Sequence, residues 1–135
     1  MALQYSVAVR NARLDAVEST TGASAILEIR TGSPPANCGT ASSGSLLASC
    51  TLPVDWMDPA SGGTKVKAGT WQDTSANGTG TAGYFRIFDS TGTTCHIQGT
   101  VTLTGGGGDM TVDNTSFETG QAFLVSTFTL TAANA

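Results

Sequence analysis

One histidine, three cysteines and two glycine-rich runs are the residues of this chain with the strongest claim on chemistry. His96 is the single histidine, so any triad of nucleophile, base and acid has to run through it. It stands in Thr94-Cys95-His96-Ile97-Gln98 with no carboxylate beside it in sequence. That setting reads as a structural or interfacial histidine on a strand face, and a hydrolase dependent on His96 ranks last among the functions considered. Cys38, Cys50 and Cys95 lack metal-ligand spacing and only His96 could join them, so no metal site is expected. Gly62-Gly63-Thr64-Lys65 lacks the phosphate-loop spacing, and Gly105 to Gly108 is followed by neither Lys-Ser/Thr nor a dinucleotide pattern. Asp109-Met110-Thr111-Val112-Asp113 is too sparse in oxygen ligands for calcium. The expectation is a protein that is not an enzyme and needs no cofactor. Carbohydrate binding is the one ligand reading with content: Trp56, Trp71, Tyr84 and Phe88 offer flat rings, and Asp55 and Asp73 offer acceptors beside the tryptophans. Against it, large aromatics dominate core burial, and both tryptophans suit a core.

The 135 residues fit one domain able to bury a core without a metal or disulfides. Only 12% are charged and 17 are Gly, so the surface must be largely Thr, Ser, Gly and Asn, the residues of pleated outer faces and tight turns. A net charge of −4 argues against nucleic acid as a partner, which calls for a basic stripe. All six basic residues lie at or before Arg86, leaving Asp89, Asp109, Asp113 and Glu118 in an acidic remainder. That remainder is a solvated face or a complement to a basic partner. Met1-Ala2-Leu3-Gln4-Tyr5 has no basic or apolar signal region and no stretch has membrane-spanning length. Cytoplasmic synthesis with free thiols is expected, a Cys38 to Cys50 bridge being the less favoured alternative. Without secretion, the acceptor patterns at Asn77 and Asn114 carry little weight.

Leu3, Val7, Leu14 and Val17 fall at helical spacing, with Ser6 as N-cap and Gly22 past the end, predicting a helix over residues 6 to 19. Alternation of Leu3, Tyr5, Val7 and Val9 keeps a strand open for residues 3 to 9. Residues 1 to 22 form a helix or arm of the same domain, and residues 23 to 135 a β-sandwich. Its strands include residues 25 to 30 and 45 to 52, the latter with Leu46, Ala48, Cys50 and Leu52 on one face. A brief strand falls within 109 to 113 and the last over 122 to 131, with Leu124, Phe128 and Leu130 inward. The loop from Val54 to Gly63 is long enough to be functional. Asp89-Ser90-Thr91-Gly92 suits a type I turn with Gly92 left-handed, which pairs Ile87 with Cys95 and Phe85 with Ile97. The core face is then Phe85, Ile87, Cys95, Ile97, Val101 and Leu103, while Tyr84, Arg86, Phe88, Thr94, His96 and Gln98 face outward. Seven or eight short strands indicate a mainly β protein, a jelly-roll-like antiparallel β-sandwich with one N-terminal α-helix.

At Thr51-Leu52-Pro53-Val54-Asp55-Trp56-Met57, Gly69-Thr70-Trp71-Gln72-Asp73, Thr81-Ala82-Gly83-Tyr84-Phe85-Arg86-Ile87 and Cys95-His96-Ile97-Gln98-Gly99-Thr100-Val101 the chain resembles the capsid cement, or head decoration, proteins of tailed bacteriophages. The resemblance runs nearly end to end and includes Met1 to Tyr5 and Arg13 to Val17. It implies a structural virion protein on the outer capsid surface, bound to the major capsid protein, self-associating as a dimer or trimer, with no catalytic residues. The contacts expected from residue types are the N-terminal segment with Tyr5, Arg10 and Arg13, the loop anchor Trp56 and Met57, and the strip Tyr84, Arg86, Phe88, His96 and Gln98. The alternative is a glycan- or receptor-binding module of a phage tail or fibre.

Overall fold

The computed structural model describes residues 3–133. Helix α1 covers Val7–Thr21, two residues beyond the predicted end. The Ser6 hydroxyl accepts a hydrogen bond from the Val9 amide at 3.2 Å, and the Gly22 amide donates to Glu18 O at 2.9 Å. Those two bonds satisfy groups that a helix leaves unpaired at its ends. Nine strands follow among the described residues: β1 (Ile26–Thr31), β2 (Leu46–Thr51), β3 (Thr64–Val66), β4 (Gln72–Asp73), β5 (Gly80–Phe88), β6 (Cys95–Leu103), β7 (Met110–Val112), β8 (Ser116–Phe117) and β9 (Phe123–Thr131).

They form one mixed sheet in the order β2-β1-β5-β6-β7-β9-β3, with β4 also on β9 and β8 on β5. The protein is therefore mainly β with one helix, but its sheet is not purely antiparallel as expected, because β7 runs parallel to β6. The turnaround takes only residues 104 to 109 and is fixed by side chains: Asp109 Oδ2 accepts from the Thr100 amide at 2.9 Å, and Thr102 Oγ1 from the Gly108 amide at 3.0 Å. Beyond β4, the Asn77 and Gly78 amides both donate to Leu47 O, at 2.7 and 3.2 Å, which ties the β4 side of the sheet to the β2 edge. Inside lies an aromatic chain in which Trp56 meets Trp71 at 5.9 Å, Trp71 meets Phe128 at 5.4 Å, and Phe128 meets Phe85 edge-on at 5.4 Å. Leu27, Ile29, Leu47, Ile87, Met110 and Val125 pack around it.

Among the described residues, four β-bulges decide which side chains reach that core. Each adds one residue to one strand, and since strand faces alternate, each reverses inside and outside beyond it. The extra residues, read from the breaks in register, are Leu47, Gly83, His96 and Ser126. Ser126 lets Phe123 and Val125 point inward on one side and Phe128 on the other, so Leu124 is exposed and not core as predicted. Leu47 is fully buried beside Ala48 in place of the predicted Leu46. In the β5–β6 hairpin, Gly92 has φ 72° and its amide donates to Asp89 O at 2.9 Å, as the turn reading requires. The loop is one residue longer than predicted, since Asp89 N bonds Thr94 O, and the His96 bulge adds another. Ile87 thus pairs with Ile97 and Phe85 with Gly99. A slip of two preserves the faces of Phe85, Ile87, Ile97 and Val101, but Cys95 lies before the bulge, opposite Phe88, and leaves the core face. Leu103 ends β6 past the core and is half exposed.

Gly83 is a bulge residue for a steric reason, because a Cβ there would sit 2.0 Å from Gly32 O. Gly92 has nothing within 4 Å of a Cβ, and only its positive φ resists substitution. Urea denaturation should therefore show Gly92→Ala costing about 1 kcal/mol, the left-handed penalty. Gly83→Ala should cost more, about 3 kcal/mol, since backbone must move.

Candidate binding surface

The strip predicted to face outward is covered. Its side chains do leave the core face of β5, but the connection from β1 to β2 folds back across them. Tyr84 is fully buried, its hydroxyl donating to Ser43 O at 2.5 Å and accepting from Ser43 N at 3.0 Å. Arg86, also buried, gives Nη2 to the carbonyls of Asn37, Cys38 and Thr40 at 3.2, 3.0 and 2.9 Å, and Nη1 to Ser42 Oγ at 2.9 Å. Its guanidinium lies 5.7 Å from the centre of the buried Phe88 ring. A buried guanidinium must have its hydration replaced, and here backbone carbonyls and the Ser42 hydroxyl replace it at Nη1 and Nη2, while Nε is buried without a partner. Gln98 belongs to the same cover, its Nε2 donating to Pro35 O at 2.8 Å. Periodicity could place these residues on one face; it could not reveal that a loop 40 residues away lies over it.

The expected Trp56 anchor is likewise interior. Trp56 is fully buried with Nε1 donating to Gly22 O at 2.9 Å, and Met57 is buried beside it. Trp71 Nε1 donates to Trp56 O and Ala68 O, at 3.2 and 3.1 Å. With Trp56, Trp71, Tyr84 and Phe88 all buried, the rings proposed for sugar stacking have no open face. His96 is half-buried and shares a shallow hollow with Arg13, Ala16 and Val17 of α1.

The N-terminal residues fare differently. Asn11, Asp15 and Glu18, spaced along one face of α1, all reach the 57–63 connection. Asn11 Oδ1 accepts from Gly63 N at 2.8 Å, Asp15 Oδ1 from Ala60 N at 2.9 Å, and Glu18 Oε2 from Met57 N at 2.9 Å. Between the two carboxylates sits the Lys65 ammonium, 2.8 Å from Asp15 and 3.1 Å from Glu18, with a third bond to Asp58 O at 2.9 Å. Lys65 is buried, at 2% exposure. Arg10 adds a bond from Nη1 to Ala132 O at 3.4 Å and lies over Gly63. Ahead of this dock the N-terminal end of the chain carries exposed apolar residues: Leu3, Tyr5, Val7 and Val9 are 71, 41, 47 and 44% exposed. Of the predicted helical stripe, only Leu14 is fully buried, with Val17 partly so. The exposed Arg13 places its guanidinium 5.3 Å from the Tyr5 ring centre. Beside the docked helix an open groove of ≈ 490 Å³ runs between Ser19 and Ala23 on one side and Val54 and Pro59 on the other.

Burial works to lower the Lys65 pKa, but its hydrogen bonds to the Asp15 and Glu18 carboxylates, and then their charges, outweigh it and hold the ammonium above its usual value. The bond from Lys65, followed by that from Ala60 N, depresses the Asp15 carboxyl. The depressed Asp15 stabilises fully above its unfolded pKa of 3.8, and this stability is lost as pH falls through the lower folded value. The raised Lys65 stabilises fully below 10.5, and loss follows as pH rises through the higher folded value.

Two outcomes follow from these buried cations. Lys65→Met should lower stability by about 2–3 kcal/mol near neutral pH and blunt the loss seen below pH 3.8, both read from urea midpoints across pH. Arg86→Met should cost about 2–3 kcal/mol and speed amide hydrogen exchange in residues 37 to 42, leaving α1 exchange unchanged. Compared with protein-family models, curated proteins and solved structures, the chain finds no match.

Proposed function

We propose that the protein is a capsid cement subunit, bound to the major capsid protein on the outside of a tailed-phage shell. The observation that carries this reading is the exposed apolar run Leu3, Tyr5, Val7 and Val9, at the N-terminal end of a helix docked through Asn11, Asp15 and Glu18. An exposed apolar surface of that kind marks a contact site. The sequence resemblance supplies the identity of the partner. A jelly-roll-like arrangement of the strands, and self-association as a dimer or trimer, belong to the same proposal. A cement subunit stabilises a shell by binding its assembled state, and many copies compensate for modest affinity at each site. Such a role asks for a rigid body with a sticky edge, and the aromatic core beneath the helix-docking loop provides the rigidity. Arg13 and Tyr5 remain as contact residues; Trp56 and Met57 lie in the interior beside the dock of α1, and Tyr84, Arg86 and Phe88 lie under the 33–45 cover.

Burying one valine side chain contributes roughly 1.5–3 kcal/mol, and a carboxylate in its place adds a desolvation cost. Co-sedimentation with expanded shells should therefore show Val7→Asp and Leu3→Asp each lowering affinity by about tenfold or more, 1.4 kcal/mol per decade. Both variants should keep the wild-type unfolding midpoint. Wild-type occupancy by both would remove the apolar run from the contact and overturn this reading.

A further inference from the structure

We propose that Cys38 and Cys95 are a thiol pair that closes into a reversible disulfide, locking residues 37 to 42 over Arg86. Three features bring the pair together. The His96 bulge places Cys95 opposite Phe88, on the covered face of β5–β6 and not in the core. Arg86 Nη2 holds the Cys38 carbonyl at 3.0 Å, drawing that residue down onto the same face. Both cysteines then line one hollow of ≈ 360 Å³ with Arg86, Phe88 and Thr40 as its other walls. The third cysteine is elsewhere: Cys50 pairs with Leu27 in β2–β1 and packs against the main core.

All three cysteines are reduced in this structure, and both members of the pair are half-buried. Burial, followed by a hydrogen bond with the Cys38 thiol, pushes the Cys95 thiol up to about 11, with Arg86 opposing. The Cys95 thiol donates to Ile97 O at 3.4 Å, and its protonated form is favoured at neutral pH, so closure is slow there and quickens as pH rises. The oxidant is a low-molecular-weight disulfide such as oxidised glutathione. One cysteine thiolate attacks it, forming a mixed disulfide and expelling one glutathione thiolate. The second cysteine, deprotonated, attacks the protein-side sulfur, forming the Cys38–Cys95 bond and expelling the second glutathione. Two electrons pass from the cysteines to the glutathione, and the two thiol protons end on the released glutathione thiols.

The test is to incubate the full chain with oxidised glutathione at mildly alkaline pH, quench with acid, then count thiols after denaturation and map peptides. The expected result is loss of two of the three titratable thiols, no retained glutathione, and joined peptides containing Cys38 and Cys95. Dithiothreitol should restore all three. Cys50→Ser should close the same bond, while Cys38→Ser and Cys95→Ser should form no intramolecular link. Overturning results are three thiols remaining, separate glutathione adducts on Cys38 and Cys95, a link to Cys50, or crosslinked dimers on a non-reducing gel.

Discussion

Lys65 lies inside the protein with its ammonium against Asp15 and Glu18, and the placement of α1 depends on that contact. A lysine removed from water must be compensated, and β3 carries no acid of its own, its three residues being Thr64, Lys65 and Val66. Both carboxylates come from the helix. The same face sends Asn11 and Glu18 to amides of the 57–63 connection, which would otherwise lack partners. The helix is thus bound by its polar side, the reverse of an ordinary amphipathic helix over a sheet. Leu14, buried on that same face, completes the dock, while Leu3, Val7 and Val9 at the N-terminal end stay exposed.

Arg86 solves the same problem differently. It has no carboxylate in its ion-pair range among the described residues, and three loop carbonyls and a serine hydroxyl take the place of water. In a chain with only six basic side chains, two are spent on fixing long connections, 33–45 over β5 and 52–63 against α1. Regular secondary structure is scant in both connections, so side-chain bonds have to do what a ladder would otherwise do. Their rigidity depends on burial of the cations, and each is vulnerable to one substitution.

The helix and its caps were legible because Ser6 and Gly22 act locally, and so was the Gly92 turn. Both are decided within a few residues. The strand faces were legible only as far as the nearest bulge. Phe85, Ile87 and Val101 hold their predicted side, whereas Leu124, Leu46 and Cys95 lose theirs to single extra residues at Ser126, Leu47 and His96. A bulge is fixed by pairing across strands distant in sequence, and one chain read alone does not carry that information. For the same reason the outward strip of β5 could be named but not its cover, and Lys65 passed as part of a failed glycine motif. Asp15 and Glu18, three apart on a helix, were the available signal for it, an acidic pair without a local base.

The binding account therefore rests on an apolar end of α1 presented by a polar dock, and not on the buried aromatic and arginine residues that composition alone would favour. Its most direct measurement is an electron cryo-microscopy reconstruction of shells decorated with this subunit. The account predicts many copies in icosahedral register, with residues 3 to 9 within contact distance of the capsid protein. Contact through the 33–45 cover, with residues 3 to 9 left in solvent, would contradict it.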